Sequence, residues 1–165
     1  MKPFRLATPA DVPAILELVN LAYRVEEFFV RGGRADEAEV RRDLAAGAFI
    51  LAEGDDGTLA GCVNVAVSAS HGHFGMLGVR PGAQSRGLGR ALVSAAEDYC
   101  LDRGCEDVNI EVVDLRTELL PWYRSLGYSE CGTAPFAAPD RQLRPCHFIL
   151  MRRALPARAT LEAVP

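Results

Sequence analysis

Gln84-Ser85-Arg86-Gly87-Leu88-Gly89-Arg90 is the stretch whose residue types and spacing suit chemistry on an anion. An apolar segment ending in Met76-Leu77-Gly78-Val79-Arg80-Pro81 precedes it, and an amphipathic run, Ala91 to Tyr99, follows it. A strand, a tight turn and a helix start in that order leave backbone N–H groups without intrahelical partners, where an anion can sit. Two glycines in one helical turn cost about 1 kcal/mol each relative to alanine. That cost is accounted for if phosphates approach the backbone closely enough that a Cβ would collide with them.

Two familiar phosphate motifs do not fit. A Walker loop needs Gly-Lys-Ser/Thr, whereas Gly89 is followed by Arg90 and Ala91, and Lys2 is the only lysine of the chain. A dinucleotide fingerprint needs a third small residue where Leu92 stands. What remains, Gln-x-x-Gly-x-Gly after a strand ending in Leu-x-Val, resembles the acyl-CoA pyrophosphate loop of the GNAT superfamily of N-acyltransferases. On this segment alone, a glycine-rich turn with no ligand stays open.

The rest of the chain must position that loop. Phe4–Ala7 reads as a strand, and Val12, Ile15, Leu16, Val19, Ala22 and Tyr23 recur at helical spacing from Thr8 to about Arg24. Residues 26–35 read as a loop, and Asp36–Ala46 as a second helix stopped by Gly47. Strands are expected at Phe49–Glu53, Leu59–Val67 and His73–Val79, the first two joined by the turn Gly54-Asp55-Asp56-Gly57. A helix over 88–102, a strand at Val108–Val113 parallel to 73–79, a short helix Thr117–Leu126 and strands near Tyr128–Gly132 and His147–Arg152 complete the order. The proline-bearing stretch 133–145 reads as a loop, and residues 154–165 as a C-terminal tail.

This order is that of the GNAT fold, and the resemblance covers about residues 2–153. It implies a mixed α/β (α+β) domain: a mostly antiparallel sheet of about seven strands with one splayed parallel pair, flanked by about four helices. A second motif supports it. Leu120-Pro121-Trp122-Tyr123-Arg124-Ser125-Leu126-Gly127-Tyr128 is similar to the family's late helix, an aromatic or aliphatic residue, Tyr, spacers and Leu-Gly-Phe/Tyr.

Composition narrows the partners. The chain has 165 residues, 49% of them hydrophobic and 24% charged, as a single globular domain would. A net charge of −4 makes a nucleic-acid partner unexpected, and no apolar run approaches membrane-spanning length. The start, Met1 to Leu6, lacks a signal-peptide core, so a cytoplasmic location is the default expectation. Five scattered cysteines show no metal-ligand spacing, so no metal is expected and all five read as structural or incidental. A single lysine at a terminus suits no Schiff-base chemistry.

The resemblance implies acetyl transfer from acetyl-CoA, the co-substrate, to the primary amine of a small molecule or peptide. It implies direct attack, with no covalent acyl-enzyme. Backbone N–H groups of Arg86, Gly87, Leu88, Gly89 and Arg90, with Gln84 and Ser85 in the same loop, would meet the pyrophosphate. Arg86 and Arg90 either add charge there or lie on a solvated helix face. The pantetheine arm would pair with the backbone of Leu77 and Val79, and Gly78 between them reads as room for close approach.

By resemblance, Tyr123 is the general acid toward the leaving sulfur. A phenol with a reference pKa of about 10 stays protonated at neutral pH and can donate to a thiolate. Its bland reading is a core tyrosine packing on Leu119 and Leu126. Many relatives carry Glu four residues before the closing Val of the strand, but Gly75 stands there. His73 lies next to it on the same face, and imidazole, with a reference pKa of about 6.5, suits accepting a proton directly or through water. Glu111 on the parallel strand and a water chain with no dedicated base stay open, and His71 lies farther out, in the turn. Arg116 replaces the Asn found in relatives seven residues before the tyrosine. Glu26-Glu27-Phe28-Phe29 reads either as an acceptor surface or as a helix-end charge pair with two core phenylalanines. A binding module that senses acyl-CoA without turnover is the alternative, and dimerisation is left open.

Overall fold

Val12, Ile15, Leu18 and Val19 follow helical spacing, and all four are fully buried on one face of the first helix. In the computed structural model, which describes residues 2–84 and 87–157, this helix, α1, spans Val12–Ala22 and continues as a tighter turn over Tyr23–Glu26. Strand β1 (Arg5–Leu6) precedes it. Helix α2 (Glu37–Ala46) starts on a reciprocal cap: the Glu39 amide donates to Asp36 Oδ1 at 2.8 Å, and the Asp36 amide donates to Glu39 Oε2 at 2.9 Å. Then come β2 (Ala48–Glu53), β3 (Leu59–Ser68), β4 (His71–Val79), α3 (Leu88–Asp102), β5 (Asp107–Val113), α4 (Leu119–Ser125), β6 (Ser129–Pro135) and β7 (His147–Ala154).

The sheet has seven strands in the order β1-β2-β3-β4-β5-β7-β6, antiparallel everywhere except between β4 and β5. Val63, Val65 and Phe74 pack toward α3 with Leu88, Leu92 and Val93, while Phe49, Leu51 and Cys62 pack toward α1 and α2. The expected element order and types are those of the structure. The differences are local. His71 is not in a turn but opens β4, paired with Ser68 and with its Nδ1 2.9 Å from Asp107 Oδ1. The loop expected at 133–145 gives its first three residues to β6 and contains a short turn at Pro139–Arg141. Leu155 donates its amide to the Glu106 carbonyl at 2.8 Å, just beyond β7.

The parallel pair is short. His71–His73 face Asp107–Asn109, and from there the two strands part. β5 stays with β7 along its whole length, so it is β4 that leaves. A bulge does this: Gly75 pairs with Asn64 and Gly78 with Cys62, leaving both Met76 and Leu77 opposite Val63. Met76 takes φ +45°, a left-handed conformation that costs a bulky residue on the order of 1–3 kcal/mol. The bulge also breaks the two-residue alternation. Phe74 lies in the α3-side core whereas Met76 lies in the α1-side core, and beyond the bulge Leu77 and Val79 turn toward α3.

Candidate active site

The donor side is built around the start of α3. Gly87 caps that helix at φ +76° and has no side chain to hydrogen-bond its first amides. Among the described residues, apart from its chain neighbours and the helix's own backbone, no atom lies within 4 Å of a Cβ placed on Gly87. Within the chain, glycine is needed here for the left-handed turn rather than for close packing. Gln84 Nε2 donates to the Val79 carbonyl at 3.4 Å, tying the side chain back to the end of β4. Ser85 and Arg86 lie outside the described residues. A cleft of about 600 Å³ opens beside this turn. Leu77, Val79, Gln84, Gly87, Leu88, Gly89 and Arg90 line one wall, and Arg116, Glu118, Leu119, Trp122 and Tyr123 the other.

Beyond His73, the edge of β4 that faces β5 has no strand partner. Such an edge is where an extended ligand can add as a further strand. A Cβ on Gly78 would lie 3.4 Å from Ala22 Cβ and 3.9 Å from Val19 Cα, in ordinary contact with α1.

A second cavity of about 260 Å³ enters the gap between the splayed strands from the other side. His73, Gly75 and Met76 of β4, Glu111 and Val113 of β5, Arg34 and Glu39, and Phe136 and Arg141 of the β6–β7 connection line it. The two cavities share Tyr23, Leu77, Leu119 and Tyr123. Tyr123 thus stands where the two cavities meet.

Tyr123 is only 7% exposed. Its ring meets Trp122 at 4.7 Å, Tyr128 at 5.8 Å and Phe74 at 6.2 Å, edge-on or tilted. It belongs to the same core cluster as Leu126, with Leu119 packed against that cluster, so core packing and a place in the cleft go together. Among the described residues nothing hydrogen-bonds to its hydroxyl. Burial pushes its pKa well above the ordinary phenol value; the neighbouring Tyr23 adds to this and Arg116 opposes it. Tyr23 is itself pushed up to about 12, chiefly by burial. Both phenols therefore stay proton donors at physiological pH.

Around the tyrosines runs an ion pair that sequence reasoning missed. Arg116 Nη1 donates to Glu26 Oε1 at 2.8 Å, and its Nε donates to Glu118 at 2.7 Å. Glu26 is no solvated helix-end charge; burial raises its pKa, opposed by Arg116. The arginine's charge is thus met inside the protein rather than held ready for a phosphate. Phe29 is fully buried, as a core residue, whereas Phe28 is 46% exposed.

The proton-accepting candidates sit at the second cavity. His73 and Glu111 both line that cavity and are both exposed residues. A side chain built on Gly75 would begin 3.8 Å from His73 Nε2, so the imidazole occupies the neighbourhood where relatives place a carboxylate. Cys62 and Cys100 are fully buried, and burial pushes each thiol up to about 12, which leaves neither as a ready nucleophile. Among the described residues no group of three or more His, Cys, Asp or Glu side chains could hold a metal ion, and no helix is long and apolar enough to cross a membrane.

The model of the acetyltransferase (GNAT) family matches residues 13–128. The chain belongs to this family. Streptothricin acetyltransferase of Streptomyces lavendulae is 31% identical over 103 residues, 61% of this chain and 51% of that protein. Mycothiol acetyltransferase of Clavibacter sepedonicus is 30% identical over 138 residues, 84% of this chain and 43% of that protein. The chain thus spans about half the length of these curated relatives. Among solved structures, the ribosomal-protein-S18-alanine N-acetyltransferase of Escherichia coli superposes with a TM-score of 0.76 at 19% identity, covering all of both chains. A phosphinothricin acetyltransferase of Sinorhizobium meliloti, solved in complex with AcCoA, matches with a TM-score of 0.74 at 18% identity, over 96% of this chain and 90% of that one. These likenesses establish the GNAT fold.

Proposed function

We propose that this GNAT chain is an acetyl-CoA-dependent N-acetyltransferase that moves the acetyl group directly to a primary amine. The observation that carries the reading is the meeting of two cavities at Tyr123, one beside the uncapped start of α3 and one beside His73. Acetyl-CoA supplies the thioester. Backbone N–H groups from Gly87 to Arg90, with Gln84 closing the turn and Ser85 and Arg86 in the same loop, hold its pyrophosphate at the helix N-terminus. The open β4 edge at Leu77 and Val79 aligns its arm.

His73 accepts a proton from the amine, directly or through water, so that the lone pair is free to attack the carbonyl carbon. As the C–S bond breaks, Tyr123 donates its proton to the departing thiolate. Burial keeps the phenol protonated at neutral pH while making it a weaker acid, so the proton passes only as charge develops on the sulfur. The five cysteines are free thiols, as in a reducing compartment, and we place the reaction in the cytoplasm.

The test is release of CoA thiol from acetyl-CoA across amino acids, polyamines, aminoglycosides, arylamines and peptide N-termini, with mass spectrometry of the denatured chain. Amine-dependent CoA release without acetyl on the protein is the expected result. Acetyl retained on the denatured chain would overturn direct transfer. Tight acetyl-CoA binding with no release by any amine would favour a sensor, a reading to which the absence of a carboxylate at Gly75 lends weight.

A further inference from the structure

The cavity beside His73 is lined by an arginine, Arg34, that has no hydrogen-bond acceptor among the described residues. Arg34 places its guanidinium over the Tyr23 ring, 5.4 Å from the centroid, and lines the cavity wall. Among the described residues, neither a carboxylate nor a carbonyl accepts a hydrogen bond from it. Glu26 Oε1 is taken by Arg116, with Arg34 acting on Glu26 through its charge alone, and Glu39 is held by the Asp36 amide. No buried nitrogen of Arg34 is left unpaired, so the N–H donors that no protein group takes up are open to water or to a ligand.

The backbone carrying Arg34 is fixed on both sides. Asn20 bonds Ala35 twice, accepting from its amide and donating to its carbonyl, each at 3.0 Å. On the other side, Arg141 donates from Nη2 to the Gly33 carbonyl and from Nε to the Arg31 carbonyl at 2.9 Å. The same two segments are zipped by the Val30–Gln142 bridge and by Leu143 donating to the Phe29 carbonyl at 2.8 Å. Such clamping prepositions a side chain for recognition.

We infer that the acceptor is a small amine carrying a carboxylate a few atoms from its nitrogen, with Arg34 holding that carboxylate. This rests on the acetyltransferase reading above. Arg34, Tyr23, Tyr123 and His73 line this one cavity, so a carboxylate at Arg34 and an amine nitrogen beside Tyr123 and His73 can share it. A guanidinium and a carboxylate match in geometry and charge. Size agrees: about 260 Å³ is below the roughly 300–1,000 Å³ typical of drug-sized sites.

The experiment compares α-amino acids with their own carboxamides as acceptors for the full chain and acetyl-CoA, with rates corrected to free-amine concentration. The acids should exceed the amides in kcat/KM by at least about tenfold, mainly through KM, as loss of a charged hydrogen bond implies. Arg34→Gln should bring that ratio toward one, and Arg34→Lys should keep part of it. Acids and amides turned over alike by the unaltered chain, or an acid preference that survives Arg34→Gln, would overturn the inference and leave the acetyltransferase reading standing. No turnover of either set also overturns it; calorimetry with acetyl-CoA then decides the parent reading, which falls too if no heat of binding is seen.

Discussion

Arg116 and Glu26 lie ninety positions apart and meet at 2.8 Å, joining the end of the first helical segment to the start of α4 across the donor-side cleft. Their side chains are only 15% and 13% exposed. A pair so far from water is a fixed strut: it sets the distance between Tyr23 on one wall and Tyr123 on the other.

Removing one partner strands the other charge. Arg116→Met should therefore destabilise the chain by about 3 kcal/mol, read as a fall in denaturation midpoint. The double substitution with Glu26→Gln should recover part of the loss. A double variant no more stable than Arg116→Met would show that the pair does not act as a unit.

His73 and Gly75 give a rescue experiment. His73→Gln should lower kcat about a hundredfold at neutral pH, within the range for loss of a general base. Adding Gly75→Glu places a carboxylate beside the vacated ring position and should restore part of the rate. Unaltered turnover in His73→Gln would remove the imidazole from the reaction and point to Glu111 or a water chain.

The pH profile follows from the direction of the Tyr123 shift. A general acid works while protonated, and burial raises its pKa above the ordinary value of about 10. With a saturating acceptor, kcat should stay level from about pH 8 to 10 rather than fall through an ordinary phenol titration. A decline centred at or below 10 that disappears in Tyr123→Phe would contradict the buried-acid assignment.

Acid stability has a separate source. Arg5 donates to both oxygens of Asp11, at 2.9 and 2.7 Å, and holds its carboxyl well below the usual range, although burial opposes this. A carboxyl whose pKa falls on folding contributes stability above its unfolded value, about 3.9, and loses it as pH drops toward the folded value. Asp11→Asn should therefore lower Tm at pH 7, and the difference should shrink as the pH falls below about 4. A gap that stays constant down to pH 2 would rule out this linkage.

Much of this was legible in the residues. Period-two and helical spacings, with glycine stops, gave the element order and type, because each element buries its own repeating face. The late helix that carries Tyr123 was legible through Leu126-Gly127-Tyr128 behind it. The β4 bulge was not, since nothing in His73-Phe74-Gly75-Met76-Leu77 marks which residue takes a positive φ; the tertiary contacts of Phe74 and Met76 decide it. The Arg116–Glu26 pair and the stacking of Arg34 on Tyr23 arise from contacts between distant segments, which local spacing does not encode.

The central claim is that Tyr123 completes acyl transfer where the two cavities meet, and Tyr123→Phe tests it most directly. The substitution keeps the ring packing against Trp122, Phe74 and Tyr128 and removes only the hydroxyl. Turnover should fall by about a hundredfold or more while acetyl-CoA affinity by calorimetry changes less than about threefold. Full turnover in the phenylalanine variant would contradict the account.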